Sequence, residues 1–133
     1  QKAPRSSFAL KPADIDNAEC AKVLLNPSGT IHEFITKREL TVEEKTGFGF
    51  GGEAIGFFVL RQQDVPRFVT LYENNETDYR PVLWEIPFTE FARNTPLHPW
   101  NISQEGCFEI DTQEDYTTAL TYFQSHPDLY LLK

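Results

Sequence analysis

Two apolar runs separated by a four-residue break constrain this chain most. Ala21-Lys22-Val23-Leu24-Leu25 and Thr30-Ile31-His32-Glu33-Phe34-Ile35 flank Asn26-Pro27-Ser28-Gly29. Pro at the second and Gly at the fourth turn position suit a type I turn, so the spacing predicts an antiparallel hairpin. A hairpin with apolar side chains needs more strands and a covering layer before it is stable.

The rest of the sequence supplies both. Glu53-Ala54-Ile55-Gly56-Phe57-Phe58-Val59-Leu60 reads as a buried strand. From Gln62 to Glu73 the apolar positions Val65, Phe68, Val69 and Tyr72 fall at i, i+3, i+4 and i+7, a helix face that tolerates Pro66 only in its first turn. Residues from Asp78 to Ile86 open another helix, which Pro87 is expected to break or kink. Pro96 and Pro99 mark an extended connection. The predicted class is α/β, a mixed β-sheet with flanking helices. Residues 1–18, with two prolines and no periodicity, read as a connector or ragged N-terminus, and 19–133 as a single α/β domain.

Gly47-Phe48-Gly49-Phe50-Gly51-Gly52 formally satisfies GxGxxG. A dinucleotide loop needs a strand before it and a helix after it, so that phosphate rests on the helix N-terminus. Here the strand follows instead, and the run is expected to be a surface loop.

The closing segment carries the motif that points to chemistry. In Cys107-Phe108-Glu109-Ile110-Asp111 a strand reading turns Phe108 and Ile110 to the core and projects Glu109 and Asp111 together. Two adjacent carboxylates repel unless a cation sits between them, and oxygen-only ligands suit Mg²⁺. The same pattern also describes an edge strand with a solvated polar face. Thr112-Gln113-Glu114-Asp115 then resembles a capping box, with Asp in place of the usual Glu or Gln, which favours the helix cap over a metal for Asp115, and Tyr116, Ala119, Leu120 and Phe123 form the apolar stripe of the helix it opens.

Composition narrows the alternatives. A formal charge of −8 argues against binding a nucleic-acid backbone, which needs clustered Lys and Arg. No apolar run reaches the roughly 18 residues that span a bilayer. Cys20 and Cys107 have no CxxC spacing, which argues against zinc; buried free thiols are expected, with one disulfide as the alternative, and the cysteine usage points to a cytoplasmic setting. His32, His98 and His126 form no recognisable triad with serine. The chain holds no methionine, so its natural start has been removed or it is a piece of something longer.

Taken in order, KVLLNPSGTIHEFITK, GEAIGFFVL, DYRPVLWEI and FEIDTQEDYTTAL resemble the C-terminal half of small-molecule nucleotidyltransferases of the phosphocholine and phosphonate cytidylyltransferase type. Only the last of these segments is reasonably specific. The resemblance implies Mg²⁺-dependent transfer from an NTP, CTP favoured, to a phosphorylated amine or sugar. It implies Glu109 and Asp111 as metal ligands and Lys37 as a cation near the reaction centre. Asp78, Tyr79 and Trp84 would hold a substrate amine by a carboxylate and aromatic faces; otherwise Asp78 caps a helix and the two rings are core. The family's glycine-rich nucleotide-binding half has no counterpart in residues 1–20, so a missing N-terminal segment or a protein partner is implied. The alternative is a non-catalytic acidic protein-binding domain of antitoxin-like or regulatory type.

Overall fold

The computed structural model describes residues 5–102 and 107–127. The chain falls into two units, Gln1–Asn101 and Ile102–Lys133. The first contains β1 (Ser7–Lys11), β2 (Lys22–Leu25), β3 (Ile31–Ile35), α1 (Val42–Gly47), β4 (Gly49–Val59), α2 (Val65–Asn74), α3 (Glu76–Tyr79), α4 (Glu85–Asn94) and β5 (His98–Asn101). The second contains α5 (Gln113–Ser125). The class is α/β, as expected: a mixed five-stranded sheet in the order β3-β2-β4-β1-β5, with helices beside it. β1 pairs antiparallel with β4 and parallel with β5.

The predicted hairpin is β2 and β3, with Asn26 accepting from Gly29 N–H at 2.8 Å across the turn. Val23 and Leu24 point to opposite faces and enter different cores. The larger core joins Phe8, Leu10, Val23, Ile31, Phe34 and Ala54 of the sheet to Phe88 and Phe91 of α4. A register shift between Leu24 and Leu25 lets Ile31 face the same core as Phe34 despite their odd spacing. The smaller core, Leu24, Ile35 and Leu40, is flanked by Phe48 and Phe50.

Four expectations are corrected. Residues 1–18 are not merely a connector: they contain β1, whose Phe8, Ala9 and Leu10 are all buried. The glycine run is not a surface loop. From Gly49 onward it is the first half of β4, and a Cβ at Gly51 would lie 3.1 Å from Leu10 Cδ1, so the Leu10 and Leu25 side chains pack closely over the glycine backbone there. The face of α2 is turned from the predicted one: Phe68 and Leu71 meet the core while Val65 and Val69 are exposed. Pro87 does not break a helix. It lies buried in the first turn of α4, where its missing N–H removes no helical hydrogen bond.

α1 buries none of its residues and is held by its start. Thr41 and Glu44 form a reciprocal capping box, and the Arg38 guanidinium grips the Glu44 carboxylate at 2.6 and 2.8 Å. The Arg38 hydrogen bonds bring the Glu44 carboxyl down to about 2. A depressed carboxyl stabilises the fold above its ordinary value near 4.5 and loses that contribution as pH falls towards 2. Because Arg38 is 45% exposed, the contribution is expected to be only about 0.5–1 kcal/mol. Melting curves of the wild type and Glu44→Gln should differ at pH 7 and converge at pH 2; an equal gap at both would remove the pair from the stability balance.

Candidate functional site

The second unit is built around the start of α5. Thr112 Oγ1 accepts from Asp115 N–H at 3.2 Å, and Asp115 Oδ2 accepts from Thr112 N–H at 2.8 Å, Thr112 Oγ1 at 2.7 Å and Asp111 N–H at 3.3 Å. The capping box predicted from TQED is present, and a box of this kind contributes about 1 kcal/mol. Asp115 is committed to the cap. Asp111 has its backbone fixed by that cap while its exposed carboxylate accepts no hydrogen bond among the described residues.

Glu109 and Asp111 are both exposed, but the strand expected to carry them is absent. Residues 107–110 are irregular: Phe108 packs against Tyr122 and Phe123 at ring distances of 4.9 and 5.6 Å, and Ile110 is 53% exposed rather than in a core. Phe108 packs this segment on α5 and no sheet ladder carries it, so strand alternation does not set the direction of the two carboxylates. Among the described residues no group of three or more His, Cys, Asp or Glu side chains is gathered to hold an ion. The donor chemistry of Glu109 and Asp111 still fits Mg²⁺, which keeps several waters and takes one or two carboxylates together with substrate phosphates. Both cysteines are free, but Cys107 is exposed, against expectation, because its segment is not part of a buried strand. Cys20 is buried, and burial raises its thiol pKa.

Lys37, Asp78, Tyr79 and Trp84 belong to the first unit. Lys37 is exposed just beyond β3 with φ +53°, a left-handed conformation that costs a non-glycine residue about 1 kcal/mol or more. Asp78 is exposed in α3. Tyr79 is buried with its ring 5.7 Å from Tyr72, and burial, then the charge of Glu90, pushes its hydroxyl pKa up. Trp84 stacks on Phe8 at 5.0 Å and meets Phe34 edge-on at 5.8 Å. The ring contacts of Tyr79 and Trp84 are thus with different partners, and the structure does not gather the three residues into an aromatic cage.

A polar network not anticipated from the sequence lies in the same unit. Asp64 and Ser6 are fully buried. Ser6 Oγ donates to Asp64 Oδ2 at 2.6 Å and accepts from Arg61 N–H at 3.0 Å; Arg61 donates Nε and Nη2 to the two Asp64 oxygens at 2.7 and 3.2 Å. The hydrogen bonds from Arg61, then Ser6, lower the Asp64 carboxyl pKa. The local signal was Arg61-x-x-Asp64 at the mouth of a helix. The partner, Ser6, stands 58 positions away, where no pattern reaches.

No protein-family model and no curated protein matches this chain.

Proposed function

We propose that this chain is the acceptor- and metal-binding part of a Mg²⁺-dependent nucleotidyltransferase, acting in the cytoplasm on an NTP, CTP favoured, and a phosphorylated amine or sugar, with the nucleotide cradle supplied by a further segment or a partner chain. The observation that supports it best is the division of labour at the start of α5: Asp115 is spent on the cap, leaving Asp111 exposed beside it. A carboxylate that the cap does not use remains available as a metal ligand. In the reaction a phosphate oxygen of the acceptor attacks the nucleotide α-phosphorus, forming a new P–O–P bond as the bond to pyrophosphate breaks, so the protein contributes positioning and charge rather than a covalent nucleophile. Glu109 and Asp111 would hold Mg²⁺, which neutralises the phosphate oxygens when bound. No helix among the described residues is long and apolar enough to cross a membrane.

The test is incubation of the complete polypeptide with CTP, Mg²⁺ and phosphocholine or 2-aminoethylphosphonate. Pyrophosphate release that requires all three is expected; none with any phosphorylated amine, sugar or polyol would sink the reading. One observation favours a second reading, a non-catalytic domain that docks on a protein partner: Val82, Leu83, Trp84 and Ile86 crowd exposed apolar surface into five residues. A stoichiometric partner, retained without Mg²⁺, would favour that reading.

A further inference from the structure

We propose that the cleft at the common end of β4, β1 and β5 binds the phosphate group of a small phosphomonoester. Topology brings its lining together. β1 and β5 run parallel and β4 antiparallel to them, so the start of β1, the start of β5 and the end of β4 meet at one end of the sheet, with Ser7 opposite both His98 and Val59. The residues just outside those pairs, Arg5, Ser6, Arg61 and Pro96, together with His98, line a cleft of 410 Å³. That volume lies within the range of about 300–1,000 Å³ typical of small-molecule sites.

The chemistry of the lining selects an oxyanion. Arg61 is held by Asp64 through Nε and Nη2, which fixes its guanidinium plane and leaves further N–H groups to donate. Arg5 has no side-chain hydrogen bond or ion pair among the described residues, although it borders the cleft. His98 is anchored by its backbone N–H to Ser6 O at 2.9 Å, and its ring pKa is lowered by burial first and by the charges of Arg5 and Arg61 next. At neutral pH it is therefore an uncharged imidazole with one N–H to offer. Two arginines and a histidine line the same cleft, a donor set whose chemistry suits the several acceptor oxygens of a phosphate.

Local charge favours an anion. Arg5 and Arg61 line the cleft and the buried Asp64 carboxylate offsets one of them, leaving a surplus of one positive charge in a chain whose total is −8. A phosphomonoester brings more charge and more acceptor oxygens than a lone carboxylate to two guanidinium groups. The site is also built rather than incidental: Ser6 and Asp64 are fully buried, and they set the position of Arg61. This inference does not depend on nucleotidyl transfer.

The test is titration of the full chain at 0.15 M NaCl with inorganic phosphate, phosphoethanolamine and acetate, followed by calorimetry and by ³¹P line width; that ionic strength suppresses diffuse attraction beyond about 8 Å. Saturable binding of both phosphates, in mutual competition and tighter than acetate, is expected. Arg5→Gln should weaken it at least about tenfold, the loss of one charge-assisted contact, with the ligand-free melting temperature unchanged. Arg61→Lys, which keeps the charge and loses the fork, should weaken it as well. Absence of saturation by about 10 mM phosphate, acetate binding as tightly, or an unaffected Arg5→Gln would overturn the assignment. Phosphate binding without pyrophosphate release would uphold the cleft and count against the transferase; release without phosphate binding to the cleft would do the reverse.

Discussion

Gly52→Ala is expected to cost the first unit about 3–5 kcal/mol, enough to leave much of a marginally stable domain unfolded. Gly52 has φ +113°, and a Cβ built there would stand 2.4 Å from Lys11 O and 3.3 Å from Lys11 C. Both neighbours are backbone, so no side chain can swing aside. Relief would require β1 to move away from β4 beside the Leu10–Ala54 and Lys11–Glu53 pairs, where the ladder already departs from regular register between Phe8 and Leu10. Gly56 provides the comparison. It too has positive φ, +77°, but nothing lies within 4 Å of its added Cβ. Gly56→Ala should therefore cost only the conformational penalty, about 1–2 kcal/mol. Urea denaturation of the two variants measures the difference directly. Equal midpoints would mean that the β1–β4 contact yields easily and that glycine at position 52 serves conformation alone.

The same contact explains why part of the fold was invisible in the sequence. The hairpin of β2 and β3 was legible because turn and strands are contiguous, and the α5 cap because its box spans four residues. β1 was not. Phe8, Ala9 and Leu10 are buried on both faces of an interior strand, so there is no polar alternation to read, and both of its neighbours come from far along the chain. The glycines of β4 misled for a related reason: without a packing partner, Gly-Phe-Gly-Phe-Gly-Gly looks like a loop, and the Lys11 backbone that excludes a side chain at Gly52 and the leucines that crowd Gly51 are supplied by tertiary structure. Before α5, the secondary structure of the segment carrying Glu109 and Asp111 was not legible. Phe108-Glu109-Ile110-Asp111 alternates as a strand should, yet alternation becomes a strand only with a ladder to join, and Phe108 found an aromatic contact with Tyr122 instead. The Ser6–Asp64–Arg61 network, and the cleft above it, required the meeting of three strand ends.

Asp111→Asn should reduce nucleotidyl transfer by about a hundredfold or more while leaving α5 intact, because the change removes a charge facing solvent and none of the capping atoms. Asparagine keeps an oxygen that can face a cation but not the negative charge that holds a hard ion, so the Mg²⁺ concentration giving half-maximal rate should rise along with the loss of rate. Asp115→Ala should behave in the opposite way. It deletes the acceptor of Thr112 N–H and Asp111 N–H and should lower helix stability by about 1 kcal/mol, visible as a loss of ellipticity on warming, with a smaller effect on rate at low temperature. The pair of variants separates chemistry from scaffold within five residues. An unchanged rate and Mg²⁺ dependence in Asp111→Asn would remove this carboxylate from the mechanism, and the exposed turn before α5 would then be a solvated surface that happens to be acidic.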